Sequence, residues 1–222
     1  MARYTPVKIS TLELATLSFA AFRHNQSNVR KDPTYFDKVT DSVVPVTPNK
    51  VLMREGNLQI TEQDRTDAQS AMETLTQDRV MRILKGLKVA DFQNTLTNLV
   101  GQTECTMSDA GLMAFLPSMA DQICQRQARE QEVAELAHTS EFLGRVGDKI
   151  TVEITVMNSR YVQQFGCWSV NAKDNSGNLI SYFTSKEECT RSGRYTAKVK
   201  RVETSSFHNG ARVTTLNFVK FA

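Results

Sequence analysis

The sequence of 222 residues predicts an α+β protein, in which a helical N-terminal region is followed by a five-stranded β-barrel. Apolar residues recur at helical spacing up to about residue 138, whereas from Ile150 onward apolar and polar residues alternate as they do in strands. Gly144 and Gly147 punctuate the junction. We therefore expect a mostly helical domain over residues 1–140 and the barrel domain over residues 141–222.

The chain is expected to begin with an extended arm over residues 1–9. Ser10 and Glu13 then form a capping-box pattern, in which the serine side chain and the glutamate side chain each bond to the other residue's backbone amide. This pattern predicts a helix over residues 11–23.

An irregular segment is predicted over about residues 25–56, because prolines and small polar residues interrupt every periodic pattern there. Within it, residues 43–46 are a candidate edge strand. An irregular segment of this length is uncommon inside a compact domain, so we expect it to order on a partner or on a neighbouring subunit.

Four further helices follow from apolar spacing and from cap residues such as Thr61 and Ser108: 61–85, 90–100, 109–115 and 117–138. The middle of the last helix, residues 125–132, is polar on all sides. Such a stretch is either a solvated face or a helix that bridges two domains, and the second interpretation is slightly favoured.

The barrel is predicted to consist of five strands, at 150–157, 165–174, 179–184, 194–202 and 212–219. Turn residues 175–178 join the second and third strands into a hairpin, and residues 207–210 contain the Asn-Gly hairpin signal. A short helical piece is predicted at 186–190. Five strands with a short helix between the third and the fourth is the layout of an OB-type barrel.

Four strings carry a resemblance to a known family: F-G-C-W from Phe165, D-N-S-G-N from Asp174, Y-F-T-S-K from Tyr182 and T-T-L-N from Thr214. Their order and spacing over about the last 80 residues resemble the C-terminal OB-fold module of phage single-stranded-DNA-binding-like proteins. The resemblance implies a non-enzymatic protein of replication or recombination. It would act in the host cytoplasm with replication proteins as further partners, and it would bind single-stranded nucleic acid, with DNA favoured over RNA and with weak sequence preference.

Charge is unevenly divided between the two predicted domains. Residues 141–222 hold twelve Lys and Arg against seven Asp and Glu, whereas residues 1–140 hold 15 against 17. The net charges are therefore +5 and −2. A basic module favours a polyanionic partner, although a balance of this size also occurs on ordinary solvated surfaces.

OB-type barrels bind nucleic acid on the face of strands two and three and on the loops between strands one and two and between four and five. Aromatic side chains there stack on bases, and basic side chains contact phosphates. Mapped onto this sequence, the loops provide Arg160, Tyr161, Phe207 and His208, the strands provide Phe165, Lys173 and Tyr182, and a basic track provides Lys198, Lys200 and Arg212.

Two orientations in this assignment depend on strand alternation. Tyr182 is expected to face outward, because Leu179 and Phe183 form the better core pair. Trp168 shares a face with Val170 and is therefore expected in the core rather than as a stacking platform.

The sequence contains no pattern that predicts catalysis or a cofactor. No phosphate-binding glycine loop or H-E-x-x-H string occurs, and no two of the four cysteines are spaced as C-x-x-C, so we expect neither an enzyme nor a metal site. No apolar run is long enough for a membrane span, and isolated cysteines fit a reducing cytoplasm. The alternative function is an oligomeric assembly or adaptor protein, whose barrel binds protein partners.

Overall fold

The computed structural model describes residues 8–205 and 210–222. The chain divides into two compact units, Met1–Arg126 and Gln127–Ala222, and this boundary lies inside a helix rather than after residue 140. The expectations for residues 1–7 of the arm and for Phe207 and His208 fall outside the described residues.

The first unit is helical. It contains α1 (Thr11–His24), α2 (Asn49–Glu55), α3 (Glu62–Leu84), α4 (Asp91–Val100), α5 (Ala110–Met113) and the first turns of α6 (Leu116–Ala137). Two small antiparallel sheets accompany the helices: β1 (Lys8–Ser10) pairs with β4 (Glu104–Thr106), and β2 (Thr34–Asp37) pairs with β3 (Ser42–Pro45).

Small buried side chains bring α1 and α3 together. Ala15 and Ala21 on α1 lie in one buried cluster with Ala68 and Ala71 on α3. Side chains of this size allow helix backbones to approach closely while leaving no void. The Ser18 hydroxyl, also buried, donates to the Ala15 carbonyl at 2.7 Å, so its burial leaves no unpaired donor.

The predicted starts of the helices are correct, but only one of the predicted capping residues is confirmed. Thr61 and Asp64 form a complete capping box at the start of α3. At the start of α1, the capping box predicted for Ser10 and Glu13 is wrong: among the described residues, the Ser10 side chain makes no capping bond. Ser10 is instead the last residue of β1, where it pairs with Glu104. Before α5, Thr106 caps a 3-10 turn at Met107–Asp109, and the N-cap residue of α5 itself is Asp109 rather than Ser108.

The edge strand predicted at residues 43–46 is confirmed as β3, but the rest of the irregular segment predicted over residues 25–56 is wrong, because it also forms β2, which pairs with β3 as a hairpin, and then α2. Pro48 immediately precedes α2, and Gly56 ends it with a left-handed φ of 70°, which are recognised start and stop signals. Asn25 ties the root of the hairpin to the end of α1, since its amide donates to the Thr47 carbonyl at 3.0 Å and to the Asn49 side chain at 2.8 Å.

The second unit contains the last turns of α6 and five strands: β5 (Lys149–Val162), β6 (Cys167–Lys173), β7 (Leu179–Thr184), β8 (Gly193–Ser205) and β9 (Ala211–Phe221). The strand order is β5-β6-β7-β9-β8, and β8 pairs back with β5, so the pairings close into a ring. Strands β7 and β9 are parallel, and the other pairs are antiparallel. The predicted α+β class, with helices preceding a five-stranded sheet, is confirmed.

The strands enclose an apolar core that includes Ile154, Val170 and Ile180. A 3-10 turn at Glu187–Thr190, between β7 and β8, packs against one end of this core. Two buried tyrosines fasten the segment around it: the Tyr182 hydroxyl donates to the Cys189 carbonyl at 2.8 Å, and the Tyr195 hydroxyl donates to the Arg191 carbonyl at 2.6 Å.

A membrane-crossing helix is not found in the described part of the chain: none of its helices is both long and apolar enough.

Candidate nucleic-acid interface

The outer face of β5, β6 and β7 presents its side chains in three rows, because residues directly opposite each other across a ladder lie on the same face. Row one consists of Arg160, Ser169 and Phe183. Row two consists of Asn158, Asn171, Ser181 and Thr215, the last on β9. Row three consists of Thr155, Lys173, Leu179 and Val213.

Row three is covered by the last turns of α6. Leu179 and Val213 are buried in a cluster with Val133 and Leu136 of that helix. Lys173 faces outward as predicted, but its Nζ lies 2.7 Å from Glu132 of α6. Lys173, which the sequence predicts to contact nucleic acid, is therefore already paired with a glutamate of the covering helix.

Row two is polar, and its burial increases from the exposed Asn158 through the half-buried Asn171 and Ser181 to the buried Thr215. Its Ser181 and Thr215 hydroxyls are 3.2 Å apart and form a hydrogen bond with each other. Asparagine, serine and threonine side chains can both donate and accept, so this row can bond to base edges or to phosphate oxygens without carrying charge.

Row one contains the aromatic ring best placed for stacking. Phe183 is 60% exposed on the outer face, beside Ser169 and in line with Arg160. A single exposed ring is not informative by itself, but exposed rings that lie together mark a candidate binding surface.

Three other exposed aromatic residues lie at the same end of the strands: Tyr161 at the end of β5, Phe165 in the turn between β5 and β6, and Phe218 on β9. Together with Phe183 we call them the aromatic rim. Tyr161 also packs edge-on against Trp168, with ring centroids 5.2 Å apart. Trp168 itself is half-buried against the barrel core, as predicted.

Phe218 is held outward by an unusual backbone. It has a φ of 54° and is 69% exposed. The pairing between β8 and β9 shifts by one residue at this point, which marks a β-bulge, and bulges re-aim side chains. Phe218 is two residues beyond Leu216, which pairs with Tyr182, so it lies on the strand next to Phe183 and within a residue or two of its level. A left-handed φ at a bulky residue costs roughly 1–3 kcal/mol, and such strain concentrates at functional sites.

The predicted outward orientation of Tyr182 is wrong. Tyr182 is 1% exposed, and burial raises the pKa of its phenol, which therefore stays protonated and donates to Cys189. The expectation that Leu179 and Phe183 form the better core pair is wrong as well. Leu179 is instead buried on the outer face by α6, and Phe183 is left exposed.

Arg160 and Tyr161 were expected in a loop, but they belong to β5, which extends to Val162. The connection to β6 is short, a 3-10 turn at Gln163–Phe165 followed by Gly166 in a left-handed conformation. Both residues are exposed as the binding assignment requires. Phe165, predicted at the start of a strand, lies in this turn.

The predicted basic track is not continuous. Lys198 is exposed and pairs with Asn217, which directly follows Leu216, the partner of Tyr182, so it lies near the level of row one. Lys200 is the extra residue of a second bulge. Arg212 is exposed but lies on the same side of β9 as the buried Thr214, two residues on, and therefore on the opposite face from Asn217.

Three residues that the sequence analysis missed contribute to this face: Phe183, Phe218 and Lys149, an exposed residue that pairs with Lys198. A signal for Phe183 was present, because Ser181 shares its side of the strand and a serine marks the outward side. No comparable signal announces the bulge at Phe218.

A concave site also exists in the helical unit, at the root of the β2–β3 hairpin. It has a volume of about 510 Å³ and includes His24, Arg30 and Tyr35 in its lining. The Arg30 guanidinium lies 3.6 Å from the centre of the Tyr35 ring and is thereby engaged within the protein. All residues that line this cavity are described, and none of them is a carboxylate or a thiol.

The four cysteines, all in the described part of the chain, are free thiols. Over residues 8–205 and 210–222, no group of three or more His, Cys, Asp or Glu side chains is placed to hold a metal ion. Comparisons of the chain with protein-family models, with curated proteins and with solved structures gave no match.

Proposed function

We propose that this protein binds single-stranded nucleic acid, without catalysing a reaction, on rows one and two and the aromatic rim. The observation that carries the proposal is the exposed ring of Phe183, in one row with Arg160 and on the strand next to Phe218. Aromatic platforms flanked by cations are the common feature of proteins that bind single strands with little sequence preference.

The strand order supports an OB-type assignment for the second unit. Five strands with a short 3-10 turn between the third and the fourth match the OB layout, and β6 and β7 are then strands two and three. These are the strands that carry rows one and two. The ligand face expected for the fold and the exposed aromatic residues therefore coincide.

A single strand suits this face better than a duplex. Stacking on Phe183 or Phe218 requires a base whose flat side is free, and in a duplex both sides are covered by neighbouring base pairs. We favour DNA over RNA because the barrel sequence resembles phage modules, and the same resemblance favours the host cytoplasm as the compartment and replication proteins as further partners. Stacking by itself accepts both.

The test is fluorescence anisotropy with labelled single-stranded DNA, single-stranded RNA and duplex DNA at rising salt. We expect single strands to bind at low salt and to dissociate as salt rises, with a slope of about −0.7 per phosphate contacted. Phe183→Ala should weaken binding, whereas Phe142→Ala, an exposed phenylalanine of the same unit outside the rim, should not. Absence of binding at low salt, or binding that is indifferent to salt, would contradict the proposal.

The alternative, an assembly or adaptor protein, is favoured by one feature of the first unit, its exposed apolar side chains on β2, β3 and the end of α3. The two functions are compatible, because a multimer gains avidity for a long strand. Light scattering with and without oligonucleotide separates them: a defined oligomer that ignores nucleic acid would favour the adaptor.

A further inference from the structure

The first of two unpartnered surfaces in the helical unit is the β2–β3 hairpin. Phe36 and Val43 lie directly opposite each other across the ladder and are both exposed, and Val39 at the turn is 92% exposed. Residues 32–45 carry three aspartates and one lysine, a net charge of −2, which becomes −1 when Arg30, stacked on Tyr35 of this hairpin, is included. We call this segment the acidic hairpin.

The tip of the acidic hairpin is ordered by its own side chains. The Asp37 carboxylate accepts from the Val39 amide at 3.0 Å and from the Thr40 hydroxyl at 2.8 Å. A two-stranded hairpin with an exposed apolar face is marginal in water, and its open edges invite pairing with another chain.

The second surface is the end of α3 and the turn after it, residues 79–88, which we call the basic helix end. This segment holds two arginines and two lysines and no acidic residue, a net charge of +4. Its apolar side chains are at least half exposed: Val80, Met81, Ile83, Leu84 and Leu87. An apolar cluster of this kind, rimmed by charge, is typical of a protein interaction site.

The two surfaces are complementary. Each exposes apolar groups that association would remove from water, and their charges are opposite. Within one copy neither surface covers the other, since both are exposed. The hairpin root is fixed near the start of α3, because Asn25 follows closely on Arg23, whose guanidinium bonds to Asp64 at 2.8 Å. The basic helix end lies about 30 Å further along the same helix, at ~1.5 Å per residue.

We propose that the acidic hairpin of one copy docks on the basic helix end of a second copy. Because the two surfaces differ, the copies dock either reciprocally, as a two-fold symmetric pair, or head-to-tail. In the head-to-tail case each copy keeps one surface free for a third, so the association continues until a ring closes or a filament forms. This inference uses residues of the helical unit alone and does not depend on the function proposed for the barrel.

The test is the mass of the full chain by light scattering across a range of protein concentrations, with matched variants at Val39. Val39→Lys and Val39→Glu remove the same apolar group but add opposite charges. Against a basic surface, Val39→Lys should weaken association by at least about tenfold, whereas Val39→Glu should weaken it far less. Val39 makes almost no contact in the single copy, so neither change should affect folding, which circular dichroism verifies.

A variant that adds a negative charge to the basic helix end completes the test. Leu84→Glu should also weaken association, and combining it with Val39→Lys should restore part of the loss. A parent protein that stays monomeric at all concentrations would overturn the proposal, as would equal behaviour of the two Val39 variants. If Leu84→Glu lowers oligonucleotide affinity while the mass is unchanged, the basic helix end is a nucleic-acid contact and the docking proposal is wrong.

Discussion

Substitutions at two neighbouring residues, Tyr182 and Phe183, should affect different properties. A change at Phe183 should lower the affinity for oligonucleotide, and a change at Tyr182 should lower the stability of the fold. Phe183→Ala removes a stacking platform worth ~1–3 kcal/mol per base, which corresponds to a loss of affinity of about 5- to 150-fold. Its cost to folding should be small. The ring is 60% exposed, so about two fifths of a side chain worth ~1.5–3 kcal/mol is buried, or roughly 1 kcal/mol.

Tyr182→Phe should act on stability alone. The ring keeps its place in the core, but the Cys189 carbonyl loses its hydrogen bond, which costs ~1–3 kcal/mol in a buried site. The folded fraction that remains should bind oligonucleotide with parental affinity, because no atom of this side chain reaches the outer face.

Urea unfolding and anisotropy titration, run on the same preparations, separate the two effects. The assignment of Tyr182 to the core and Phe183 to the outer face would be refuted if Tyr182→Phe weakened binding under conditions where the protein is fully folded. It would equally be refuted if Phe183→Ala bound as the parent does and lost several kcal/mol of unfolding free energy.

Three further predictions concern charge, strain and pH. Lys198→Gln should reduce the salt slope of binding by about one phosphate contact, whereas Lys173→Gln, whose lysine is paired with Glu132, should leave the slope unchanged and cost less than ~1 kcal/mol in urea unfolding. Phe218→Asn should weaken binding but hold or raise the unfolding free energy, since asparagine tolerates the left-handed φ of 54°. Burial alone would raise the pKa of Asp64, but hydrogen bonds from Arg23 and Thr61 outweigh it and hold that pKa below the ordinary 3.8. The stability from Asp64 is therefore present above about pH 4 and lost as the pH falls through the lowered pKa. Below about pH 4, the unfolding free energy of Asp64→Asn should depend less on pH than that of the parent. An equal dependence would show that the pH dependence does not come from Asp64.

The elements of the barrel could be predicted from sequence because alternation records burial directly. In β8, the alternation of Tyr195, Ala197 and Val199 with charged or polar residues predicted both the strand and its inward face. The same rule failed in β7, where apolar residues occur on both sides. Ile180 and Tyr182 fill the barrel, and Leu179 is covered from outside by α6.

Parts of the site were beyond prediction because they depend on contacts distant in sequence. The pairing of Lys173 with Glu132 requires α6 to lie on the outer face, and no local pattern announces this. The bulge at Phe218 arises from register against β8. In the helical unit, Pro48 before α2 and Gly56 after it are local signs of a helix. The prolines earlier in the same segment led to the prediction of a loop instead.

The central claim, that rows one and two bind single-stranded nucleic acid, is tested most directly by mapping amide chemical-shift changes as an unlabelled oligonucleotide is added to isotope-labelled protein. We predict the largest changes at Ser169, Asn171, Ser181 and Phe183, and small changes at Leu179 and Val213 beneath α6. Changes confined to the helical unit, or concentrated on the face covered by α6, would contradict the claim.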